Sequence, residues 1–190
     1  MNKLALSTGV VIFMISSLYN TLNSSELTWH ASGNGGIVAA GPESSVEAGL
    51  EMLKDGGNAV DAAVAVILNL AVSDYGSFCI GGEVPFMFYD TYTGKVRVFN
   101  GMGGAPGDPK AIETFYSAGI PEEMSGIKVS TVPSALSTVL KALEVNGTMS
   151  FEQVVRPTLK LLDTGGENWY HKLAMTFRKL IDTEKCTKGT

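Results

Sequence analysis

The sequence predicts a mixed α+β fold with one helix enclosed in its middle layer. Three observations carry this expectation. From Ala59 to Val72 only Asp61 and Asn69 are polar, so a helix there has no face suited to water and must be covered all round. It is too short to cross a bilayer. The runs "FMFYD" and "VRVFN" flank "TYTGK", the pattern of a hairpin with Gly94 at its turn. Amphipathic helical stretches follow, from Ser134 to Glu144 and onward. The 190 residues, 45% hydrophobic and 17% charged, suit one globular domain or part of a larger one.

The segment from Asn20 to Gly36 is polar and ends "ASGNGG", and within it residues 26–35 are a linker into the domain 36–190. "GIVAA", Gly36 to Ala40, is a short apolar strand stopped by Pro42. Ser44-x-x-Glu47 has the form of a capping box, and Val46, Leu50 and Leu53 follow at helical spacing. Lys54 suits the negative end of that helix, and Gly56 supplies a left-handed stop. Asn58 caps the apolar helix, with Asp61 in its first turn. "SDYGSFCIGGEVP" and "GMGGAPGDP" are loops on either side of the hairpin. Ala111 to Ala118 is a short helix ended by Gly119, and "IKVSTVP" is a strand. Ser150-x-x-Gln153 caps a helix that runs through Leu162 and is bent by Pro157. Trp169 to Ile181 forms a last helix, and the tail "DTEKCTKGT" carries no packing pattern. The short sheet keeps an open edge, and such an edge needs a cover or a partner.

The formal net charge of -5 and the absence of a basic cluster argue against nucleic acid as a partner. Two cysteines, Cys79 and Cys186, lie far apart in sequence. A count of two leaves a disulfide and two free thiols equally open. With no CxxC and only His30 and His171, the chain offers no protein-built metal site. Lys3 followed by the uncharged run Leu4 to Leu18 reads as a secretory signal over residues 1–25, with an uncleaved membrane anchor as the rival. Either places the protein outside the cell, secreted or tethered. Asn23-Ser24-Ser25 and Asn146-Gly147-Thr148 are glycosylation sequons, at Asn23 and Asn146.

Other candidate groups have plainer explanations. Asp61 serves a helix first turn and Asp74 a loop, so an acid pair is not indicated. Gly81-Gly82 lacks the lysine and hydroxyl of a phosphate loop. Cys79 is expected as a partly buried inert thiol, Glu83 as a loop surface charge, His30 as an exposed linker residue. His171 belongs on a helix surface.

Several segments together resemble the N-terminal part of the large subunit in the gamma-glutamyltranspeptidase family. They are "GIVAAGPESSVEAGLEMLKDGGNAVDAAVAVILNLAV", "IGGEVPFMFYDTYTGKVRVFNGMGGAP", "VSTVPSALSTVLKAL" and "SFEQVVRPTLKLLDTG". The resemblance implies an N-terminal-nucleophile hydrolase architecture, two sheets between helical layers, here incomplete. It implies transfer of gamma-glutamyl groups from glutathione or related amides to water or amino acids, with no cofactor. The nucleophile would be the N-terminal Thr of a smaller subunit released by self-cleavage, its own amine serving as base.

The chain departs from the family pattern twice. No Thr-Thr-His-like stretch is present, and Thr187 and Thr190 lack that context, so no catalytic residue is assigned within these residues. The family also places an Arg in the segment ending Ala-Pro, where its fork grips the substrate's alpha-carboxylate. Here that segment is "FNGMGGAP", and Met102 or Gly104 stands at the substrate-binding position, with Arg97 nearby but out of register. Loss of such a bidentate contact costs on the order of several kcal/mol, roughly a thousandfold in binding. Two functions follow as expectations. One is an enzyme part that works only with a C-terminal or small-subunit-like chain bearing the Thr. The other is a catalytically inactive module that binds a peptide or a protein.

Overall fold

The computed structural model of the chain describes residues 31–119 and 130–188. Eight elements occur among them: α1 (Glu43–Lys54), α2 (Ala59–Ser73), β1 (Phe86–Asp90), β2 (Lys95–Phe99), α3 (Pro109–Ser117), α4 (Ala135–Asn146), α5 (Phe151–Asp163) and α6 (Asn168–Lys188). The fold is α+β, a helical core with one small antiparallel sheet beside it.

The local signals for α2 act as expected. Asn58 Oδ1 accepts from the amides of Val60 and Asp61 at 2.8 and 3.1 Å, and Asp61 Oδ2 accepts from the Asn58 amide at 2.8 Å. This reciprocal box satisfies donors that a helix start leaves open. Ser150 and Gln153 form the same device at α5, with bonds of 3.2 and 2.9 Å. Between α1 and α2 the chain turns at Gly56, whose φ of 88° favours glycine.

Helix α2 is the hub, packed against α1, α4 and α5, while α6 covers α5. Val64, Ala65 and Leu68 are fully buried, together with Met52, Val139, Val154, Val155 and Phe177 from the surrounding helices. Most of the polar residues inside this core are paired, the Thr158 hydroxyl being buried without a hydrogen-bond partner. Ser44 and Ser45 both donate to Asn69 Oδ1 at 3.0 Å, and Ser45 lies 2.9 Å from the Ser73 hydroxyl.

Enclosure of α2 is not complete. Ala63, Val66 and Ile67 are half-buried and line an open apolar groove of about 420 Å³ with Ile37, Val38 and Leu53. The expectation of a helix covered on every side is corrected to this extent among the described residues.

Four further expectations are corrected. Residues 36–40 form no strand, and neither do residues 130–133 of the second expected strand; residues 127–129 lie outside the described residues. A strand exists only through a neighbour that pairs its amides and carbonyls, and among the described residues the sheet is β1 and β2 alone. The box at Ser44 and Glu47 does not form, because Pro42 is the N-cap and Ser44 turns inward to Asn69. The C-terminal residues 182–188 continue α6 instead of forming an unpacked tail, and Glu184 accepts from the Phe151 amide at 3.0 Å.

The hairpin pairs Phe86 with Phe99, Phe88 with Arg97 and Asp90 with Lys95. Phe86, Phe88 and Phe99 therefore share one face and pack together, ring centroids 6.0 to 6.3 Å apart. The opposite face carries Met87, Tyr89, Val96 and Val98, which are 71%, 62%, 61% and 65% exposed. The first face thus mixes three Phe rings with Asp90, Lys95 and Arg97, while the second is apolar along its whole length yet open, a pattern suited to a sheet face that another layer covers.

Residues 31–35 of the expected linker are exposed and carry no helix or strand. The leader at 1–25, the Asn23 sequon and His30 lie outside the described residues. No described helix is long and apolar enough to cross a membrane.

Candidate functional site

The segment bearing Met102 and Gly104 is held by backbone contacts. The Gly101 carbonyl accepts from the Val84 amide at 2.9 Å and from the Ser134 hydroxyl. The Gly82 carbonyl accepts from the amides of Ser134 and Ala135, each at 3.0 Å. Three pieces of chain, the loop after α2, the segment leaving β2 and the start of α4, are joined in this way. A Cβ at Gly101 would lie 1.7 Å from the Val84 carbonyl oxygen, so no side chain fits there without displacing one of the two segments. Gly103 is also crowded, by Val132, whose Cβ and carbonyl oxygen would each be 2.4 Å from an added Cβ.

Between these fixed points Met102 is 50% exposed, its amide donating to Asn100 Oδ1 at 3.4 Å. Gly104 is open, with nothing within 4 Å of the place a methyl group would take. Arg97, the nearby cation, is engaged on the hairpin. It lies on the aromatic face of the hairpin with its Nε 3.4 Å from Asp90 Oδ2. Asp90 in turn accepts from the Thr93 hydroxyl at 2.9 Å, and that bond leads the contacts that hold its carboxyl below the usual carboxylate range. The segment thus presents a thioether, an open glycine and backbone groups. It can accommodate an added side chain, but it grips no anion by charge.

The other candidates fall elsewhere. Asp61 and Asp74 stand at opposite ends of α2, about 20 Å apart along the helix axis, and do not form a pair. Cys79 is exposed, not partly buried, because the loop that carries it turns on the surface; Cys186 is exposed too, and both are free thiols. Glu83 is half-buried. His171 is exposed on α6, as a surface histidine should be.

Sequence reasoning missed two contributors. Ser134 looks like an ordinary helix start, yet its hydroxyl anchors the Gly101 carbonyl. Asp61 was legible as a first-turn acid but not as the acceptor for a distant loop: Thr148 donates its hydroxyl at 2.6 Å and its amide at 3.0 Å, and Met149 its amide at 3.1 Å. The only hint in the sequence is an Asp at the start of an otherwise apolar helix.

A family model described as gamma-glutamyltranspeptidase matches residues 45–184. This chain belongs to the gamma-glutamyltranspeptidase family. Among the family's curated proteins, the glutathione hydrolase proenzyme of Bacillus subtilis (strain 168) is 33% identical over 137 residues, which are 70% of this chain and 23% of that protein. The gamma-glutamyltranspeptidase of Pseudomonas nitroreducens, solved as a complex with L-DON, superposes with a TM-score of 0.61 at 26% identity, covering 80% of this chain and 46% of that one. The gamma-glutamyltranspeptidase of Helicobacter pylori gives a TM-score of 0.62 at 23% identity over 72% of this chain and 40% of that one, a likeness of fold alone. The chain thus spans 23% of the length of the Bacillus relative.

Proposed function

We propose that this chain is the N-terminal part of the large subunit of a gamma-glutamyl-transferring enzyme, an incomplete αββα sandwich that acts only when a Thr-bearing part completes it. The completing part supplies the nucleophile. Its Thr hydroxyl attacks the gamma-carbonyl carbon of glutathione or a gamma-glutamyl peptide, the amine leaves with a proton, and water or an amino acid then takes the acyl group. The present chain contributes core, scaffold and the Met102–Gly104 segment beside the substrate's alpha-carboxylate. The protein works outside the cell, delivered by residues 1–25 as signal or anchor and glycosylated at Asn23.

The observation that carries this reading is the hairpin face formed by Met87, Tyr89, Val96 and Val98, each more than 60% exposed. A four-residue apolar face on a two-stranded sheet is what remains when a facing layer is removed. The open groove beside Val66 and Ile67 supports the same view. The test is hydrolysis of a chromogenic gamma-glutamyl anilide by the purified chain, alone and after refolding with a Thr-bearing small subunit of a relative. Turnover confined to the mixture is expected. Turnover by the chain alone overturns the proposal.

One observation favours a second reading, a catalytically inactive binding module: neither Met102 nor Gly104 can bind a carboxylate by charge. Under that reading the mixture also stays silent, although the two chains associate.

A further inference from the structure

The tripeptide Asn146-Gly147-Thr148 has the sequence of a glycan acceptor, but the fold has engaged its groups. Asn146 is the last residue of α4. Its carbonyl accepts from Asn58 Nδ2 at 2.7 Å, and its side-chain Oδ1 is buried without a hydrogen-bond partner. The Gly147 amide donates back to the Leu143 carbonyl at 2.8 Å. The Thr148 hydroxyl, the group by which a sequon is recognised, donates to Asp61 Oδ2 at 2.6 Å. Asp61 is fully buried and also accepts from the amides of Asn58, Thr148 and Met149. The tripeptide is therefore clamped between the starts of α2 and α5, in a helix end and turn instead of the extended form that presents an asparagine side chain.

We infer that Asn146 is a fold-gated modification site: a glycan acceptor before the 147–149 loop docks on Asp61, and closed to transfer afterwards. In the transfer, Asn146 Nδ2 forms a bond to the anomeric carbon of a lipid-linked oligosaccharide. The bond from that carbon to the diphosphate oxygen breaks, the lipid diphosphate departs, and the amide gives up one proton. The geometry blocks this at two points, since the Thr148 hydroxyl is occupied and the Asn146 backbone is fixed as a helix end.

The test sets the folded full chain, made without glycans, against a synthetic peptide of residues 140–152. Each is incubated with oligosaccharyltransferase and a lipid-linked oligosaccharide, and occupancy of Asn146 is read by peptide mass spectrometry. The peptide should be modified and the folded chain should react at Asn146 at least about tenfold more slowly, because attack must wait for local opening. A smaller difference overturns the inference, as does a peptide that is never modified.

Discussion

The carboxylate of Asp61 and the hydroxyl of Thr148 meet at 2.6 Å although 87 positions separate them in the chain. Asp61 begins the central helix and Thr148 lies in the turn between α4 and α5, so one buried acid ties three helices together. Because its bonds are to amides and a hydroxyl, its removal leaves several donors inside the protein without an acceptor.

Asp61→Ala should lower the unfolding free energy by about 2–4 kcal/mol, since each buried donor left without an acceptor costs about 1–3 kcal/mol and some of them can relax toward water. Urea denaturation followed by circular dichroism measures this. A loss below about 1 kcal/mol would mean the 147–149 loop is held by something else.

Gly101 and Gly104 lie three residues apart and should respond oppositely to alanine. At Gly101 the added carbon would sit 1.7 Å from the Val84 carbonyl oxygen, so the variant should lose about 2–4 kcal/mol or shift the loop. At Gly104 the space is open, and the change should stay within about 0.5 kcal/mol. Equal effects in thermal melts would contradict the backbone contacts described above.

Met102 is half-exposed, so a longer cationic side chain can be placed there without repacking. In the completed enzyme, Met102→Arg should improve kcat/KM for a gamma-glutamyl substrate by about tenfold or more, through a charged contact to the alpha-carboxylate. Steady-state assays with and without that carboxylate on the substrate decide it. A gain equal for both substrates would place Met102 away from the carboxylate.

The outer hairpin face offers a test that needs no catalysis. Val96→Ser with Val98→Ser removes apolar surface that is already more than 60% exposed. The double variant should change the stability of the chain alone by no more than about 1 kcal/mol. It should abolish association with a completing subunit in gel filtration. A variant that still associates as the parent does would show that this face is not the covered one.

Asp90 gives the hairpin a pH dependence of known sign. Its carboxyl is held low first by the Thr93 hydroxyl, with the amides of Thr93 and Tyr92 and the Arg97 guanidinium assisting and burial opposing. A group that titrates lower when folded adds stability above its unfolded value, about 3.9 for Asp. That stability fades as pH falls through the folded value. The stability difference between the parent and Asp90→Asn should therefore be full at neutral pH and shrink below about pH 4. A difference unchanged in strong acid would remove the carboxylate from the explanation.

Features whose causes lie within a few residues were legible from the chain alone. The boxes at Asn58–Asp61 and Ser150–Gln153 formed because cap and partner are three positions apart. Gly94, with φ of 66°, turned the hairpin that its alternating neighbours demanded. The family, too, was legible, since its segments occur here in order. Features that depend on distant partners came only with packing. Ser44 left its expected cap because Asn69, on the neighbouring helix, offered an inward acceptor. "GIVAA" has a strand's composition but no strand beside it, and a strand cannot satisfy its own backbone. Asp61 acquired its loop, and Cys79 its exposure, only when chain segments far apart in sequence came together. Local hydrogen bonds are written in local spacing, whereas burial and pairing are properties of the neighbours that packing brings.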